Sequence, residues 1–358
     1  MPTPDKPARI AAVVVTYNRR TLLDRCLKAL ISQVRPPDEI LVIDNASTDG
    51  TQDMLEQRYD GRITHVRLKE NMGASGGFYE GIRLAYEKGY DWIWVMDDDV
   101  EPAADALKGL VESPAFGDPA VGLLASLVLD PMPPNGTPHS VQSGEVVVTN
   151  PDGTGWRPVS FGHYKRFNAI MGFQLVVSQE SLASPLIPIE AAGFLGVMIQ
   201  RGAIGEVGLP LKELYIYWDD TEFIYRISRR FKVFLVPSSR VVHGQGVYLR
   251  SPRKVLGFAK LGAGIPYAQI WKLYYYVRNE TYVRTKYAKP WLAPFVAPLL
   301  LARHTAIALL FYDHPFPRCK VLCRAAFDGM LGRLGKRNMG GDNKREPHVL
   351  RDIGRLKS

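Results

Sequence analysis

Short apolar runs that end in polar residues alternate with helix-like segments over the first hundred residues, and this pattern most constrains the fold. The apolar runs span Ile10 to Tyr17, Glu39 to Asp44, Ile63 to Leu68 and Asp91 to Met96. Two of the intervening segments, Thr21 to Gln33 and Gly76 to Lys88, carry apolar residues at helical spacing. This order predicts an α/β fold: a mostly parallel sheet with helices on both faces.

Three adjacent aspartates, Asp97, Asp98 and Asp99, follow the fourth apolar run. Ligands of parallel sheets bind beyond the carboxyl ends of the strands, which is where this triplet is expected. Neighbouring carboxylates repel one another unless a cation lies between them, and their oxygens suit Mg²⁺ or Mn²⁺. We therefore predict a metal site that can serve a diphosphate, against the alternative of a solvated acidic turn.

Two more segments follow predicted strands. Asp44 can accept a hydrogen bond from a nucleobase imino group, whereas residues 47–50 are typical of a turn and a helix cap. Between Asn71 and Phe78, three glycines allow backbone N–H groups to approach a phosphate or a sugar. A tight turn explains those glycines equally well.

Two candidate sites occur later in the chain. Asp219 and Asp220 follow Trp218, and a carboxylate beside an aromatic ring could deprotonate a sugar acceptor. The alternative is a helix N-terminus, where acidic side chains are favourable. His243 follows the apolar strand near residues 233–236, and metal ligation and a core role are equally compatible with it.

The composition indicates the compartment and the partners. A net charge of +9 favours anionic partners, and from residue 316 onward eleven Lys/Arg stand against four Asp/Glu. The three cysteines, Cys26, Cys319 and Cys323, complete no zinc motif, so we expect them to be reduced. Residues 1–9 lack the apolar core of a signal peptide, so we expect a cytoplasmic protein.

The region after Lys254 looks helical, apolar and basic. Trp291 to Ala302 is uncharged, but Arg303 and His304 interrupt the apolar pattern, and two prolines should weaken the helix, so we do not expect a true membrane span. Apolar and basic residues interleave from about 318 to 337. This pattern favours peripheral attachment of residues 290–340 to an anionic leaflet, with burial against the preceding α/β region as the alternative.

Taken together, these motifs resemble the inverting glycosyltransferases of family two, which have the GT-A fold. The resemblance covers about residues 9 to 250 and rests on residues 13–19, 43–50, 71–78, 97–99, 218–220 and 243. Within the family, residues 71–78, 218–220 and 274–280 look like the branch of galactofuranosyltransferases and rhamnosyltransferases.

The resemblance implies a role for each matching residue. The nucleotide and donor would be held by Thr16, Asn18, Arg19, Asp44, Asn71, Gly73, Gly76, Asp97 and Asp98. Mn²⁺ or Mg²⁺ would be bound by Asp97, Asp99 and His243. The catalytic base would be Asp220, with Asp219 beside it, and the acceptor would meet Trp218 and Phe194.

The resulting prediction is a metal-dependent glycosyltransferase at the inner face of the cell membrane. Residues 1–250 would form the catalytic domain, with a nucleotide-sugar half (9–110) and an acceptor half (111–250), and residues 251–358 a basic helical region. The leading donor is UDP-galactofuranose, the alternative is dTDP-rhamnose, and the acceptor is a glycan or a lipid-linked glycan. Nucleic acid is not an expected partner, and the oligomeric state stays open. A nucleotidyltransferase and a non-catalytic nucleotide-sugar sensor are the rival classes.

Overall fold

The computed structural model describes residues 7–129, 147–149, 156–158, 165–168, 172–175, 180–244 and 267–337. The strands are β1 (Ile10–Thr16), β2 (Glu39–Asp44), β3 (Thr64–Arg67), β4 (Trp92–Asp97), β5 (Val100–Pro102), β6 (Val121–Leu129), β7 (Val147–Thr149), β8 (Trp156–Pro158), β9 (Lys165–Asn168), β10 (Gly172–Leu175), β11 (Ile187–Pro188), β12 (Leu195–Gln200) and β13 (Lys232–His243). The helices are α1 (Arg20–Ile31), α2 (Thr51–Tyr59), α3 (Gly73–Glu87), α4 (Ala106–Val111), α5 (Arg201–Val207), α6 (Asp219–Ser228), α7 (Ile270–Tyr287), α8 (Ala293–Phe311) and α9 (Pro315–Met330).

The first half of the main sheet is parallel, as predicted. Its strands run in the order β3-β2-β1-β4, and β1 lies between its two partners in register, with Thr16 opposite Asp44 and Val15 opposite Asp97. Every residue of β1 is buried, as a strand covered on both faces requires. The strand order reverses at β1, so the carboxyl ends of β1, β2 and β4 border one crevice.

The second half of the sheet is mixed. β12 runs antiparallel to both β4 and β6, while β13 pairs parallel with β6 and antiparallel with β5 and β11. The register of β13 against β6 shifts between Val236 and Arg240, around Pro237, and the strand continues to His243. The proline- and glycine-rich stretch of residues 131–155 lies mostly outside the described residues.

Helix α3 begins at Gly73, so the glycine segment is part of the helix rather than a loop before it. Gly77 faces the sheet so closely that a Cβ atom there would lie 2.5 Å from Val15 Cγ1. The segment therefore allows α3 to pack directly on β1, a function that the sequence analysis did not assign to it.

The last three described helices pack around a hydrophobic cluster separate from that of the sheet. Its buried residues include Leu273, Tyr274, Tyr275, Val277, Ala308, Leu322 and Ala325. This cluster is consistent with a distinct C-terminal region. The boundary expected at residue 250 lies outside the described residues.

Helix α8 is continuous through Pro298, Arg303 and His304, so the expected weakening does not break it. Pro298 lies near the start of the helix, and both basic side chains pair with Glu280 of α7. Residues Ala293–Leu310 are long and apolar enough to cross a membrane, and 22% of them are buried. In α9, by contrast, Leu322 and Ala325 are buried, so much of its apolar face packs inside the protein.

Candidate functional site

The ends of β1 and β4 meet through direct hydrogen bonds at the point where the strand order reverses. The Thr16 hydroxyl donates to Asp98 Oδ2 over 2.7 Å. Arg19, just beyond β1, donates from one guanidinium nitrogen to Asp98 Oδ1 (3.2 Å) and Asp99 Oδ2 (3.1 Å). The Arg19 side chain is half-exposed, whereas both carboxylates are buried. The structure thus brings together three residues predicted for the nucleotide, Thr16, Arg19 and Asp98, and the predicted metal ligand Asp99.

Two carboxyl groups of the aspartate triplet have raised pKa values. Burial raises the pKa of Asp97 well above its usual range, and the carboxylates of Asp99 and Asp98 raise it further. Burial likewise raises the pKa of Asp98 to about 6, although Arg19 and Thr16 favour its ionised form. Grouped carboxylates with raised pKa values are stabilised by positive charge, whether from a cation or from a basic side chain.

His243 reaches this cluster because β13 pairs with β5, which follows the triplet. His243 lies opposite Val100 in that ladder, and its Nε2 is 3.3 Å from Asp99 Oδ1. Asp99 Oδ1 is buried and accepts no hydrogen bond from any residue that the structure describes. Within those residues, no three His, Cys, Asp or Glu side chains form a ready-made metal-binding cluster. The donor types nevertheless fit Mn²⁺ or Mg²⁺, since carboxylate oxygens and an imidazole are ligands that such cations accept.

Asp44 is a buried carboxylate at the end of β2. Its side chain is fully buried, and Oδ1 accepts a hydrogen bond from the Ser47 amide over 2.8 Å. Its Oδ2 accepts no hydrogen bond from the described residues, while His65 Nε2 and Arg67 are 3.7 and 3.6 Å away. Burial opposes ionisation of Asp44, but His65 and Ser47 keep its pKa below the usual value. The unsatisfied oxygen is a suitable acceptor for an N–H group.

His65 and Arg67 were missed by the sequence analysis. They occupy alternate positions of β3, and the register places Arg67 opposite Asp44 and His65 opposite Val42. Two basic residues with period two on a strand beside a buried aspartate are a signal that could have identified them.

Asn18 shapes the loop beyond β1. Its backbone is left-handed, with φ at 54°, and its side-chain oxygen accepts the Thr48 amide over 2.7 Å. The backbone amide of Asn18 donates to Ser47 Oγ over 2.9 Å. Asn18 therefore joins the loops that follow β1 and β2.

The start of α3 lies beside the same loops. The Asn71 side chain accepts the Gly73 amide over 2.8 Å, and the Asn45 side chain donates to the Gly73 carbonyl over 3.3 Å. A Cβ atom on Gly73 would lie 2.1 Å from the Tyr215 carbonyl oxygen, whereas one on Gly76 would meet Met72 of the same segment. The two glycines thus have packing roles at the edge of the crevice, and a role in donor binding stays a prediction.

The predicted base and its neighbour begin helix α6. Asp219 is buried, and burial together with the Asp220 carboxylate raises its pKa to about 7. Asp220 is partly exposed and accepts the amide of Thr221. Trp218 precedes both in a left-handed conformation, and its ring is 6.0 Å from that of Tyr276. The Asp219 carboxylate also contributes, after burial and the neighbouring aspartates, to the raised pKa of Asp97.

Glu222 connects α6 to α7. It is fully buried and accepts hydrogen bonds from Lys286 and Tyr287 of α7 over 2.8 and 2.7 Å. Burial opposes its ionisation, but Arg226 and Lys286 outweigh this and hold its pKa below the usual value.

Phe194 lies in the core rather than on the surface of the crevice. It is 3% exposed, and its ring packs 4.6 Å from Phe78 and 6.3 Å from Phe223. Its carbonyl oxygen accepts the amide of Asp97 over 3.1 Å. Phe194 therefore supports the end of β4, and the predicted contact with an acceptor has no support from this buried position.

The chain is similar in sequence to known glycosyltransferases. Residues 11–169 match the family model described as glycosyl transferase family 2. The galactofuranosyltransferase GlfT1 of Mycolicibacterium smegmatis is 27% identical over 220 residues, which cover 62% of this chain and 65% of that protein. The N-acetylglucosaminyl-diphospho-decaprenol L-rhamnosyltransferase of Mycobacterium tuberculosis is 26% identical over 252 residues, 65% of this chain and 75% of that protein.

A solved structure supports the same fold. The chain superposes on GalNAc-T7 crystallised with UDP, GalNAc and Mn²⁺ with a TM-score of 0.55, at 17% identity, over 91% of this chain and 56% of that one. At this identity the similarity concerns the fold. The match to the GlfT1 sequence spans just under two thirds of that relative's length. The chain therefore carries a glycosyl transferase family 2 domain over residues 11–169 and has the GT-A fold.

Proposed function

We propose that the chain is an inverting, metal-dependent glycosyltransferase that moves a sugar from a nucleotide diphosphate to a hydroxyl of a glycan or lipid-linked glycan. The observation that carries this proposal is the convergence of four strand ends. Asp44, the Thr16–Arg19 segment, the aspartate triplet and His243 border one crevice, and the loop before α6 contacts the start of α3. A nucleotide, a diphosphate and a sugar can occupy consecutive parts of such a crevice.

The donor half of the crevice suits a nucleotide. Asp44 Oδ2 receives no hydrogen bond from the described residues, which supports a role as acceptor for the imino N–H of a pyrimidine base, as in UDP or dTDP. Arg19 is exposed enough to contact a diphosphate while it still pairs with Asp98 and Asp99. A divalent cation held by Asp97, Asp99 and His243 would supply positive charge to the departing diphosphate.

The transfer step needs a base on the acceptor side. Asp220 takes the proton from the acceptor hydroxyl, and the hydroxyl oxygen then forms a bond to the anomeric carbon as the bond to the diphosphate breaks. One displacement of this kind inverts the anomeric configuration without a covalent intermediate. Asp220 is the more accessible carboxylate of the pair, which supports its assignment over Asp219.

UDP-galactofuranose is the leading donor, and dTDP-rhamnose is the alternative. Both relatives named above act in the corresponding branches, as their names state, and their identities to this chain are nearly equal, at 27% and 26%. Thermal protection by each nucleotide sugar, with Mn²⁺ present, distinguishes the donors. The preferred donor should give the larger shift of the unfolding midpoint.

Product analysis tests the reaction class. The protein is incubated with Mn²⁺, an acceptor extract and donor labelled in the sugar or in the β-phosphate. Release of the nucleoside diphosphate with transfer of the labelled sugar supports the proposal. Release of a labelled sugar 1-phosphate, from attack at the α-phosphate, would instead indicate a nucleotidyltransferase, and binding of the donor without any turnover would indicate a sensor.

We further propose that α8 attaches the enzyme to the cytoplasmic surface of an anionic membrane. Large apolar side chains on and around this helix are exposed by 51–80%: Trp291, Phe295, Leu299, Leu309, Leu310 and Phe316. Positive charge comes from Arg303 of α8 and Arg324 of the next helix, α9, whose side chains are 56% and 64% exposed. An apolar surface with basic residues suits the headgroup layer of an anionic leaflet.

Liposome flotation tests this attachment. The protein should float with anionic vesicles and should float less well in high salt. The Phe295→Ser/Leu299→Ser double variant should remain in the bottom fraction of the gradient. Val34→Ser is the matched control, because Val34 and Leu299 are both 66% exposed and Val34 lies far from these helices in the chain. Equal flotation of the double variant and the wild type would refute a role for α8.

A further inference from the structure

The segment before the two α6 aspartates has an unusual backbone. Tyr215, Tyr217 and Trp218 all have positive φ angles, from 66° to 69°. An aromatic residue in this left-handed region costs about 1–3 kcal/mol, so the surroundings must hold each of them in place. We call residues 213–218 the base loop, since it leads directly into Asp219 and Asp220.

Two fully buried polar residues of α7 hold the base loop. Asn279 Nδ2 lies 2.9 Å from each of three carbonyl oxygens, those of Leu214, Ile216 and Tyr217. Arg278 donates to the Leu214 carbonyl over 3.0 Å. Together they satisfy backbone acceptors that a buried irregular segment would otherwise leave unpaired.

Arg278 also fixes the orientation of Asn279. Its Nε donates to Asn279 Oδ1 over 2.8 Å, which directs the amide nitrogen toward the base loop. Its Nη1 donates to the Gly335 carbonyl over 2.7 Å, and the Gly335 amide in turn donates to the Glu213 carbonyl over 2.7 Å. The pair is thus part of a closed hydrogen-bond network, which is more rigid than a single contact.

The opposite side of the base loop contacts the donor half of the crevice. The Ser75 amide at the start of α3 donates to the Tyr215 carbonyl over 3.1 Å. Gly73 approaches the same carbonyl so closely that a side chain would not fit. The base loop is therefore enclosed between α3, which borders the predicted donor site, and α7.

We propose that Arg278 and Asn279 are positioning residues for sugar transfer, which act on the reaction by fixing the base loop and so the carboxylates that follow it. The proposal rests on the proposed function, because it needs a catalytic base at Asp220 or Asp219. Neither α7 residue is expected to touch the donor or the acceptor. A displacement of about 1 Å at a reacting group can cost on the order of 100-fold in rate, so loss of this support should be visible in turnover.

The test compares Asn279→Leu with Thr281→Val on the full-length protein. Thr281 is also fully buried in α7, but its hydroxyl donates to Val277 of the same helix and not to the base loop. Asn279→Leu should lower kcat about 10- to 100-fold while the affinity for UDP, measured by calorimetry with Mn²⁺, changes less than about twofold. Thr281→Val should retain wild-type kcat. Asn279→Ser, which keeps one donor, provides a milder variant if the leucine variant does not fold.

A double-variant experiment separates positioning from general stability. The background is the aspartate variant, Asp220→Asn or Asp219→Asn, that removes base catalysis. In that background Asn279→Leu should lower kcat by less than about twofold further, because the carboxylate that Asn279 positions is already absent. An equal further loss in that background, or an unchanged kcat in a folded Asn279→Leu protein, would overturn the positioning role. A wild-type protein that transfers no sugar would instead overturn the proposed function itself.

Discussion

Replacing Gly77 by alanine tests whether the glycine segment of α3 serves packing or ligand binding. The added Cβ atom would lie 2.5 Å from Val15 Cγ1 and 2.8 Å from Asn45 Nδ2. Carbon atoms in contact are normally about 3.5–4.0 Å apart, so α3 must move by about 1 Å from the sheet. Val15 is buried in the central strand and has no free space to move into.

The magnitude follows from two opposing terms. Overpacking of this kind costs about 1–3 kcal/mol, whereas alanine in a helix is about 0.5–1 kcal/mol more favourable than glycine. The net effect is a loss of about 1–2 kcal/mol. For a chain of this size, a loss of this magnitude should lower the midpoint of thermal unfolding by about 1–3 °C.

The assay is thermal unfolding with and without UDP and Mn²⁺. Gly202→Ala is the control, because Gly202 lies in α5 and its nearest neighbour beyond the helix is 3.5 Å from an added Cβ. That variant should be as stable as the wild type or slightly more stable. A Gly77→Ala protein of wild-type stability that no longer binds UDP would refute the packing argument and assign the segment to the ligand.

Three further predictions concern the site. Asp99→Ala should abolish transfer at nearly unchanged thermal stability, and a chelator should inhibit the wild type reversibly; full activity in excess chelator would refute the metal role. Asp220→Asn should bind donor normally and turn over at least about 100-fold more slowly, whereas a normal Asp220→Asn beside an inactive Asp219→Asn would reverse the assignment. Glu222 has a lowered pKa, so its stabilising effect is complete above about pH 4.5 and is lost as the pH falls through its folded-state value. Urea unfolding should therefore show Glu222→Gln about 3–5 kcal/mol less stable than the wild type at pH 7. This difference in the free energy of unfolding should become smaller below pH 4.5, and a difference independent of pH would contradict the argument.

The strand ends were predictable from the sequence because their signal is local. Four apolar runs with helical segments between them require a parallel sheet, and the connectivity rules bring their carboxyl ends to one edge. Thr16, Asp44 and the aspartate triplet each follow such a run directly, so their approach to one another needed no knowledge of distant contacts. The bounds of β2 were predicted to the residue, and those of β1 and β4 within one residue.

Other features depend on contacts between distant parts of the chain and left no local signal. Asn279 meets residues more than sixty positions earlier, and its neighbours Tyr274 to Tyr276 form part of an apolar helix in which a buried amide is not expected. The glycine segment has the spacing of a ligand loop, but the proximity of α3 to β1 gives it a packing role. In α8, a local pattern of prolines and charges suggested an interruption, whereas pairing with Glu280 across the helix interface accommodates both basic residues.

Three consecutive residues of α7 connect the base loop with the exposed apolar helix. Arg278 and Asn279 contact the base loop, and Glu280, which is 3% exposed, accepts from His304 over 2.8 Å and pairs with Arg303 over 3.5 Å. These residues lie within one turn of a helix, so they cannot move independently. If α8 rests in the headgroup layer, α7 holds the base at a fixed height above it. A soluble acceptor gains nothing from that arrangement, whereas a lipid-linked acceptor brings its hydroxyl to a height set by the same membrane. The proposed membrane contact and the proposed positioning role therefore favour a lipid-linked acceptor over a soluble glycan.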